Sequence, residues 1–349
     1  MSSDAVLLAS FGGPEAPDEV MPFLERVTAG RGVPRERLEE VAHHYLALGG
    51  VSPINEQNRR LLTALRAEID ARGLAVPLHW GNRNTAPFFA EALLEAYETG
   101  ARRVVAVATS AYSSYSGCRQ YRENLAGALA DSGLQGRLEV VKARPYYGHP
   151  GFAAPFVDGV ADAVRTSQGC HVFFTTHSIP LSMAEQSGPE SRREGLPGLY
   201  ERQHLDVASR VIAGVEHRLG LAEISWSLVY QSRSGPPHVP WLEPDIADAM
   251  REVAGRGIGH VVLVPIGFVS DHVEVVWDLD HEAREVADEL GLRFDRVPTP
   301  GTDSRFVAAL VDVAAAALNG PAYAGGDDQL CQAACCPNAR VDLPVVVGV

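Results

Sequence analysis

Eight short apolar runs alternate with helix-length amphipathic segments along the chain. They form two sets, at 5–10, 78–82, 104–109 and 138–142, and at 171–176, 226–230, 260–265 and 293–297. Continuous apolar strands that alternate with helices are typical of parallel sheets covered on both faces. The pattern predicts two similar doubly wound (Rossmann-like) α/β domains, each with a four-stranded parallel sheet, at 1–150 and 151–320. A short cysteine-containing tail would follow at 321–349.

Two titratable residues follow the ends of buried runs in the second set. His177 ends the run that begins at His171, and Glu274 lies beyond the run at 260–265. Ligands of open α/β sheets bind beyond the carboxyl ends of the strands, so both side chains should face one cleft. An imidazole opposite a carboxylate can move protons or hold a divalent metal. A lone histidine can also simply bond a neighbouring carbonyl, and the residues alone leave both interpretations open.

The segment after Asp271 predicts an amphipathic helix with an acidic face. Glu274, Asp278 and Glu282 lie four residues apart, so their carboxylates should stack on one side. The apolar positions of the predicted helix are Val273, Val276, Leu279, Ala283, Val286 and Leu290. The carboxylates could form an ordinary solvated face, or a ladder that delivers a cation to the cleft or carries protons away. Without a family, the solvated face is the favoured interpretation.

Two loops of the first set contain residues suited to a ligand. The first strand ends at Phe11-Gly-Gly-Pro14, where glycines permit a sharp turn or a close backbone approach. The third strand leads into a polar and aromatic loop at 111–118. Such a loop suits a flat, partly apolar ligand with polar edges. It equally suits a helix start capped by serine, which is the interpretation favoured by the residues alone.

Five cysteines suggest a second kind of site. Cys331, Cys335 and Cys336 are clustered in the tail, while Cys118 and Cys170 lie in the body of the chain. Three tail thiolates and one from the body would satisfy an iron–sulfur cluster. Cys118 is the better fourth ligand because it lies in a polar loop, whereas Cys170 abuts a buried strand. The spacing also leaves open a redox-sensitive or metal-scavenging tail.

Composition excludes several kinds of partner. The net charge of −14 disfavours nucleic acid and anionic membrane surfaces, which bind basic patches. No apolar run approaches the roughly 20 residues of a membrane span, and the first residues lack the basic region of a signal peptide. We therefore expect a cytoplasmic protein without stable membrane insertion. The sequence has no heptads, so a monomer is the default expectation.

Several motifs resemble those of the ferrochelatases. Thr176-His-Ser-Ile-Pro180 and Gly267-Phe-Val-Ser-Asp-His-Val-Glu-Val-Val-Trp-Asp278 look like the two signature segments of that family. Segments similar to the family's also occur at 8–14, 49–53 and 241–245, and the resemblance runs from about residue 5 to about residue 318. It implies the two-domain chelatase fold and the insertion of ferrous iron into a porphyrin.

The resemblance also implies roles for the residues of the cleft. His177 would take protons from the pyrrole nitrogens or help to bind the metal. Glu274 would face it across the macrocycle and share the metal and proton traffic. Asp278 and Glu282 would continue as an acidic path, which places the ladder interpretation above the solvated face. The tail cysteines resemble those of family members with a [2Fe–2S] cluster, with Cys118 as the ligand from the body and three from the C-terminal tail.

The substrate follows from the branch that the chain resembles. A short, acidic chain without an apolar membrane-docking lip is similar to the enzymes that metallate coproporphyrin III, rather than to the membrane-associated branch that metallates protoporphyrin IX. By motif match, Ser52 and Tyr121 would contact the porphyrin and its propionates, and Tyr45 is a further candidate contact.

Two positions depart from the family pattern. Phe11 stands where many members of the coproporphyrin branch have a tyrosine that can reach the iron, and a phenyl ring cannot ligate a metal. Thr28 replaces a family arginine in the loop before Gly30, so either Arg31 takes over that contact or the contact is missing. Both departures concern the porphyrin side of the predicted cleft.

Other functions stay open at this point. A protoporphyrin IX ferrochelatase would share the chemistry, and a chelatase that inserts cobalt into a sirohydrochlorin-type ring would share the fold. The latter enzymes often depend on paired histidines, which the single His177 opposite Glu274 argues against. A non-enzymatic two-domain protein that closes on haem or a siderophore would leave the histidine, the glutamate and the acidic ladder without a task.

Overall fold

Two all-parallel β-sheets organise the protein. The computed structural model describes residues 4–165, 169–235, 238–319, 331 and 334–349. The strands are Asp4–Ser10 (β1), Leu78–Asn82 (β2), Arg103–Ala108 (β3), Glu139–Lys142 (β4), His171–His177 (β5), Ser225–Gln231 (β6), His260–Val264 (β7), Arg293–Arg296 (β8) and Val347–Gly348 (β9). The first sheet has the order β2-β1-β3-β4-β9 and the second the order β6-β5-β7-β8.

The predicted fold class is confirmed, with one difference in the first sheet. All eight predicted strands are present, but the first sheet has five strands rather than four. The fifth, β9, comes from the apolar C-terminal segment, which pairs in parallel with β4. Its pairing covers backbone groups that β4 would otherwise present at an open sheet edge.

Twelve α-helices connect and cover the strands in the described ranges. They are Val20–Val27 (α1), Arg35–Ala47 (α2), Ile54–Ala71 (α3), Phe89–Glu98 (α4), Gln120–Asp131 (α5), Pro150–Val164 (α6), Leu181–Glu185 (α7), Leu199–Leu219 (α8), Ile246–Gly255 (α9), Val273–Val275 (α10), Ala283–Glu289 (α11) and Ser304–Leu318 (α12). Two π-helical turns, Tyr115–Arg119 and Val276–Glu282, lead into α5 and α11.

The hydrophobic core is layered. The largest cluster of buried side chains lies between the two sheets and includes residues of α3, α6, α8 and α12. Helices α4 and α5 cover the other face of the first sheet, and α9 and α11 cover that of the second. Helix α12 packs on α3 and β3, so the end of the chain returns to the first sheet. The division into domains at residue 150 stays a proposal.

Strand order places the two cleft walls. In each sheet the first strand in sequence lies between the next two strands, so that β1 pairs with β2 and β3, and β5 pairs with β6 and β7. The strand order therefore reverses at β1 and at β5, and α/β proteins bind ligands at such switch points. The two switch points are tied together, because the Tyr112 hydroxyl donates to the Ile266 carbonyl at 2.9 Å. No helix in the described ranges is long and apolar enough to cross a bilayer.

Candidate active site

His177 is the last residue of β5, and its ring is held in one orientation. Its Nδ1 lies 2.5 Å from the backbone carbonyl oxygen of Ser178. A carbonyl only accepts hydrogen bonds, so Nδ1 carries the proton and Nε2 presents a lone pair. The side chain remains about a third exposed. Strand β5 therefore ends in an accessible proton acceptor.

Glu274 lies beside this acceptor, in the short helix that follows the loop after β7. Its Oε2 is 3.7 Å from His177 Nε2, and its side chain is 45% exposed. A flat ring between two groups needs roughly 7 Å, because each face requires about 3.5 Å. At 3.7 Å the two side chains leave no room for a ring between them in this arrangement, and the expectation that Glu274 faces His177 across the macrocycle stays a prediction.

The acidic ladder continues into the protein from Glu274. Asp278 accepts hydrogen bonds from the hydroxyl of Ser232 and, at 3.3 Å, from Nε2 of Gln231, both at the end of β6. Glu282 is exposed and accepts from Trp277 Nε1 at 2.8 Å. The three carboxylates thus run from the cleft past a half-buried site to solvent. Such a series can pass a cation or a proton in steps.

A π-helical turn changes the register of this helix. Val275 and Ala287 are buried, whereas the predicted core position Leu290 is 37% exposed. The turn at Val276–Glu282 is wider than an α-helical turn, so the positions beyond it rotate around the axis. The predicted apolar stripe was therefore only partly correct.

Asp278 is set apart by its pKa. Burial raises the pKa of this carboxyl to about 7, against the hydrogen bond from Ser232, and the negative charges of Glu274 and Glu282 add to the rise. The group is thus poised to take and release protons near neutral pH.

Replacing Asp278 with asparagine should stabilise the fold at neutral and higher pH. Since the folded pKa lies above the unfolded value near 3.9, stability falls as pH rises between these values, and the full penalty is present above pH about 7. We expect Asp278→Asn to raise the free energy of unfolding by roughly 2–4 kcal/mol near pH 8 and by less near pH 5. Urea unfolding at both pH values measures this. Glu282→Gln, at the exposed end of the ladder, is the matched control, and equal gains in the two variants would contradict the prediction.

An aromatic and aliphatic cluster forms the wall next to Glu274. Phe11 packs edge-on against Phe23 with ring centroids 6.1 Å apart, and Phe23 lies 5.8 Å from Tyr45. Val273 belongs to the same cluster. Tyr45 is buried, and burial followed by the charge of Glu274 raises its pKa well above the ordinary value. This wall joins the first sheet to the helix that contains Glu274.

Cationic groups lie behind Phe11. The guanidinium of Arg83 lies 5.3 Å from the centre of the Phe11 ring and 4.3 Å from that of Tyr121, in cation–π geometry. Burial lowers the pKa of Arg83, and the nearby charge of Arg31 lowers it further. Partial burial and then the charge of Arg340 lower the pKa of Arg31. Arg83 also donates to the Gln120 side-chain oxygen at 3.4 Å and the Ser116 carbonyl at 3.2 Å, and the charge of Glu123 acts on it in the opposite direction. Two guanidinium groups near each other can bind a carboxylate or phosphate.

The remaining predicted contacts are buried in the walls. Tyr121 is 3% exposed, in the first turn of α5. Ser52 is also 3% exposed, and a Cβ at Gly13 would stand 2.6 Å from its Cβ, so only glycine fits there. Thr28 donates its hydroxyl to the Leu24 carbonyl at 2.7 Å and thus closes its own helix end. The contact roles of these residues stay predictions.

The four predicted cluster cysteines come together. Cys118 and Cys331 have their sulfur atoms 3.8 Å apart, as do Cys335 and Cys336. Cys118, Cys335 and Cys336 are buried and form one group with Cys331 at its edge. Cys170 lies elsewhere, packed against the central core. The tail is thereby attached to the start of α5.

Hydrogen bonds within the cysteine group change the pKa values of its thiols. Hydrogen bonds from Cys331 and Cys336 lower the pKa of the Cys118 thiol well below its usual value, and those from Cys331 and Cys336 lower that of Cys335 to about 4. The amide of Gly188 donates to the Cys336 sulfur at 3.0 Å. Among the described residues, no group of three or more His, Cys, Asp or Glu side chains is arranged to hold a single metal ion.

A buried hydrogen-bond network behind His177 was not predicted from the sequence. Tyr200 donates to the His177 carbonyl at 3.0 Å and lies 2.7 Å from the Thr176 hydroxyl, which contacts His204 Nε2 at 2.9 Å. His204 is stacked on Tyr112, and burial lowers its pKa to about 3. These residues are isolated in sequence and only the fold joins them. Arg83, in the loop after β2, was missed for the same reason.

The chain is similar to several known proteins. A family model described as Ferrochelatase matches residues 3–318. A coproporphyrin III ferrochelatase of Streptomyces coelicolor is 51% identical, with 99% of this chain and 96% of that protein covered. One of Leifsonia xyli subsp. xyli is 49% identical, with 99% and 94% covered. Among solved structures, a sirohydrochlorin chelatase of Bacillus subtilis in complex with cobalt has a TM-score of 0.48 at 11% identity, with 91% and 96% covered.

Proposed function

Because the chain belongs to the ferrochelatase family, we propose that it inserts ferrous iron into coproporphyrin III with release of two protons. The product is iron coproporphyrin, an intermediate of haem biosynthesis, and the enzyme is a lyase-class metal chelatase. The observation that carries the reaction is the pair of His177 Nε2 and Glu274 Oε2, 3.7 Å apart in the cleft. The relatives' names support the choice of porphyrin.

His177 is the proton acceptor of this mechanism. The hydrogen bond from Nδ1 to the Ser178 carbonyl fixes the tautomer, so Nε2 can accept a pyrrole proton directly. The imidazolium that results is stabilised by the carboxylate of Glu274. Tyr200 supports the same residue through its carbonyl. The base is thus aligned before the substrate arrives.

Glu274, Asp278 and Glu282 provide the negative charge that the reaction needs. Ferrous iron is a dication, and each carboxylate lowers its energy along the approach to the ring. The same series accepts protons that leave His177. Asp278, whose pKa is about 7, changes protonation most readily at neutral pH. Metal and protons therefore move in opposite directions along one acidic path.

Propionates of the porphyrin bind the cationic side of the cleft in this proposal. The guanidinium of Arg83 lies 4.3 Å from the centre of the Tyr121 ring, the charge of Arg31 is near it, and guanidinium is well suited to carboxylates. Coproporphyrin III has four propionates and protoporphyrin IX has two, so these cations favour the former. Phe11 offers a flat apolar surface and no ligand for the iron.

Insertion assays with two porphyrins test the proposal. Purified protein, ferrous salt and coproporphyrin III under anaerobic conditions should convert the absorption of the free porphyrin into that of the iron complex. A parallel reaction with protoporphyrin IX should be slower. Faster reaction with protoporphyrin IX would overturn the substrate but keep the chemistry. No insertion into either porphyrin would overturn the proposed reaction.

The four cysteines are proposed to bind a [2Fe–2S] cluster. Two thiolates on one metal at about 2.3 Å, in tetrahedral geometry, lie a little under 4 Å apart, which fits both sulfur pairs at 3.8 Å. Burial and the amide of Gly188 suit a sulfur-ligated cluster as well. Such a cluster can hold one electron reversibly, and no step of the insertion described above uses it.

Cys336→Ser should abolish the visible absorption of the cluster. It removes one of four ligands, and Cys336 is also the residue that contacts Gly188 in the loop beyond α7. Spectra and the iron and sulfide content of the purified variant check this. Cys170→Ser is the matched control, since Cys170 packs elsewhere. An unchanged spectrum in Cys336→Ser would contradict the ligand set.

The proposed function also includes a cytoplasmic location and a monomeric state.

A further inference from the structure

The chain contains a single lysine, and it is buried. The sequence has 30 Lys and Arg residues, of which only Lys142 is a lysine. Its side chain is 2% exposed, and its ammonium donates to the Ala143 carbonyl at 3.0 Å. No carboxylate in the described ranges lies within ion-pairing distance of it. A buried ammonium without an anion is costly, so its surroundings should supply negative charge.

Lys142 points to the cysteine group. Side chains alternate along a strand, and Val140 belongs to the buried cluster that also contains Tyr121 and Leu125 of α5. Lys142, two residues later, faces the same side, near the start of α5 where Cys118 lies.

A second buried cation lies on the same side. Arg122 follows Cys118 by one helical turn, is 2% exposed and donates from Nε to the Val346 carbonyl at 2.7 Å. Two buried cations therefore flank a group of four sulfur atoms.

The C-terminal strand packs these parts together. Gly348 pairs with Lys142 across the sheet edge and with Cys331 on its other side. A Cβ on Gly348 would lie 2.4 Å from Cys331 Cβ, 3.3 Å from its sulfur and 3.6 Å from Arg122 Nε. Only glycine permits this approach, so β9 holds Cys331 close to the buried cations.

We propose that Lys142, together with Arg122, is the counter-cation of an anionic four-cysteine site. The inference rests on the cluster proposed above. Four thiolates make an oxidised [2Fe–2S] cluster dianionic, and reduction adds one more negative charge. Two cations in a buried setting offset the oxidised charge and favour the reduced form still more. The single lysine therefore retains the cluster and raises its reduction potential.

Lys142→Met tests the inference, because methionine keeps the length and apolar character of the side chain without its charge. The variant should lose iron to a chelator on the order of tenfold faster than wild type, and its cluster should have a more negative reduction potential. Arg137→Met, an exposed cation before the amino end of β4, is the matched control. Unchanged iron loss and potential in Lys142→Met would overturn the inference.

A measurement on the wild-type protein covers the case in which the variant fails to fold. Protein labelled with carbon-13 at the lysine ε-carbon gives one lysine signal, since there is one lysine. With the cluster loaded, that signal should be shifted and broadened relative to the cluster-free protein, and an unchanged signal would overturn the inference. Wild-type protein that contains no iron or sulfide would instead overturn the cluster proposal, so the two failures are distinguishable.

Discussion

His177→Ala should lower the rate of iron insertion by roughly 10²–10⁴-fold while coproporphyrin III still binds. The substitution removes Nε2, the lone pair that faces Glu274 at 3.7 Å. The pyrrole protons then have no aligned acceptor, and water must take them. The substitution leaves Arg83 and Arg31, the proposed propionate contacts, unchanged. The turnover number should therefore fall much more than the affinity for the porphyrin.

Turnover and porphyrin binding are measured separately for this variant, by absorption and by fluorescence. His217→Ala is the control, because His217 is an exposed histidine in the last turn of α8. A His177→Ala variant that inserts iron at nearly the wild-type rate would exclude this residue as the base. A pure binding protein would keep its ligand in both variants and show no turnover in either.

Glu274→Gln should lower the turnover number on the order of 10²-fold. The amide keeps the shape of the side chain but removes the negative charge next to Nε2 and at the cleft end of the ladder. Both the imidazolium and the incoming dication lose their nearest anion. We therefore expect the apparent KM for ferrous iron to rise as well, while the KM for porphyrin changes little.

Kinetics at varied iron concentration separate these effects. Glu285→Gln is the matched control, since Glu285 lies on the exposed surface and contacts the exposed His281 at 3.4 Å. Loss of porphyrin affinity without a change in the KM for iron would contradict the assigned role of Glu274.

Local patterns in the sequence predict the strands that carry this site, but not the arrangement of its side chains. Continuous apolar runs mark the eight strands, and parallel topology then requires that the ends of β5 and β7 meet. Nothing local indicates whether His177 and Glu274 lie on one face of the ligand or on two. That depends on the loop between β7 and α10 and on the packing of Val273 against Phe23 and Tyr45.

Other features are invisible in sequence because they depend on long-range packing. The π-helical turn at Val276–Glu282 shifts the buried positions of its helix, and periodicity assumes a constant turn. Strand β9 has two residues and exists because β4 offers an edge. Arg83 and Lys142 are isolated cations in the sequence, and their proposed roles depend on the residues that surround them in space. The residues alone gave the gathering of the cysteines as one of several interpretations, and the family resemblance favoured it.

Single-turnover iron insertion with simultaneous proton counting tests the central claim most directly. The claim is that the protein exchanges two pyrrole protons for ferrous iron at His177 and Glu274. In weakly buffered anaerobic solution with coproporphyrin III, a pH indicator should report two protons released for each iron complex formed, at the rate of the absorption change. Uptake of porphyrin and iron without proton release would contradict the account and identify a binding protein instead.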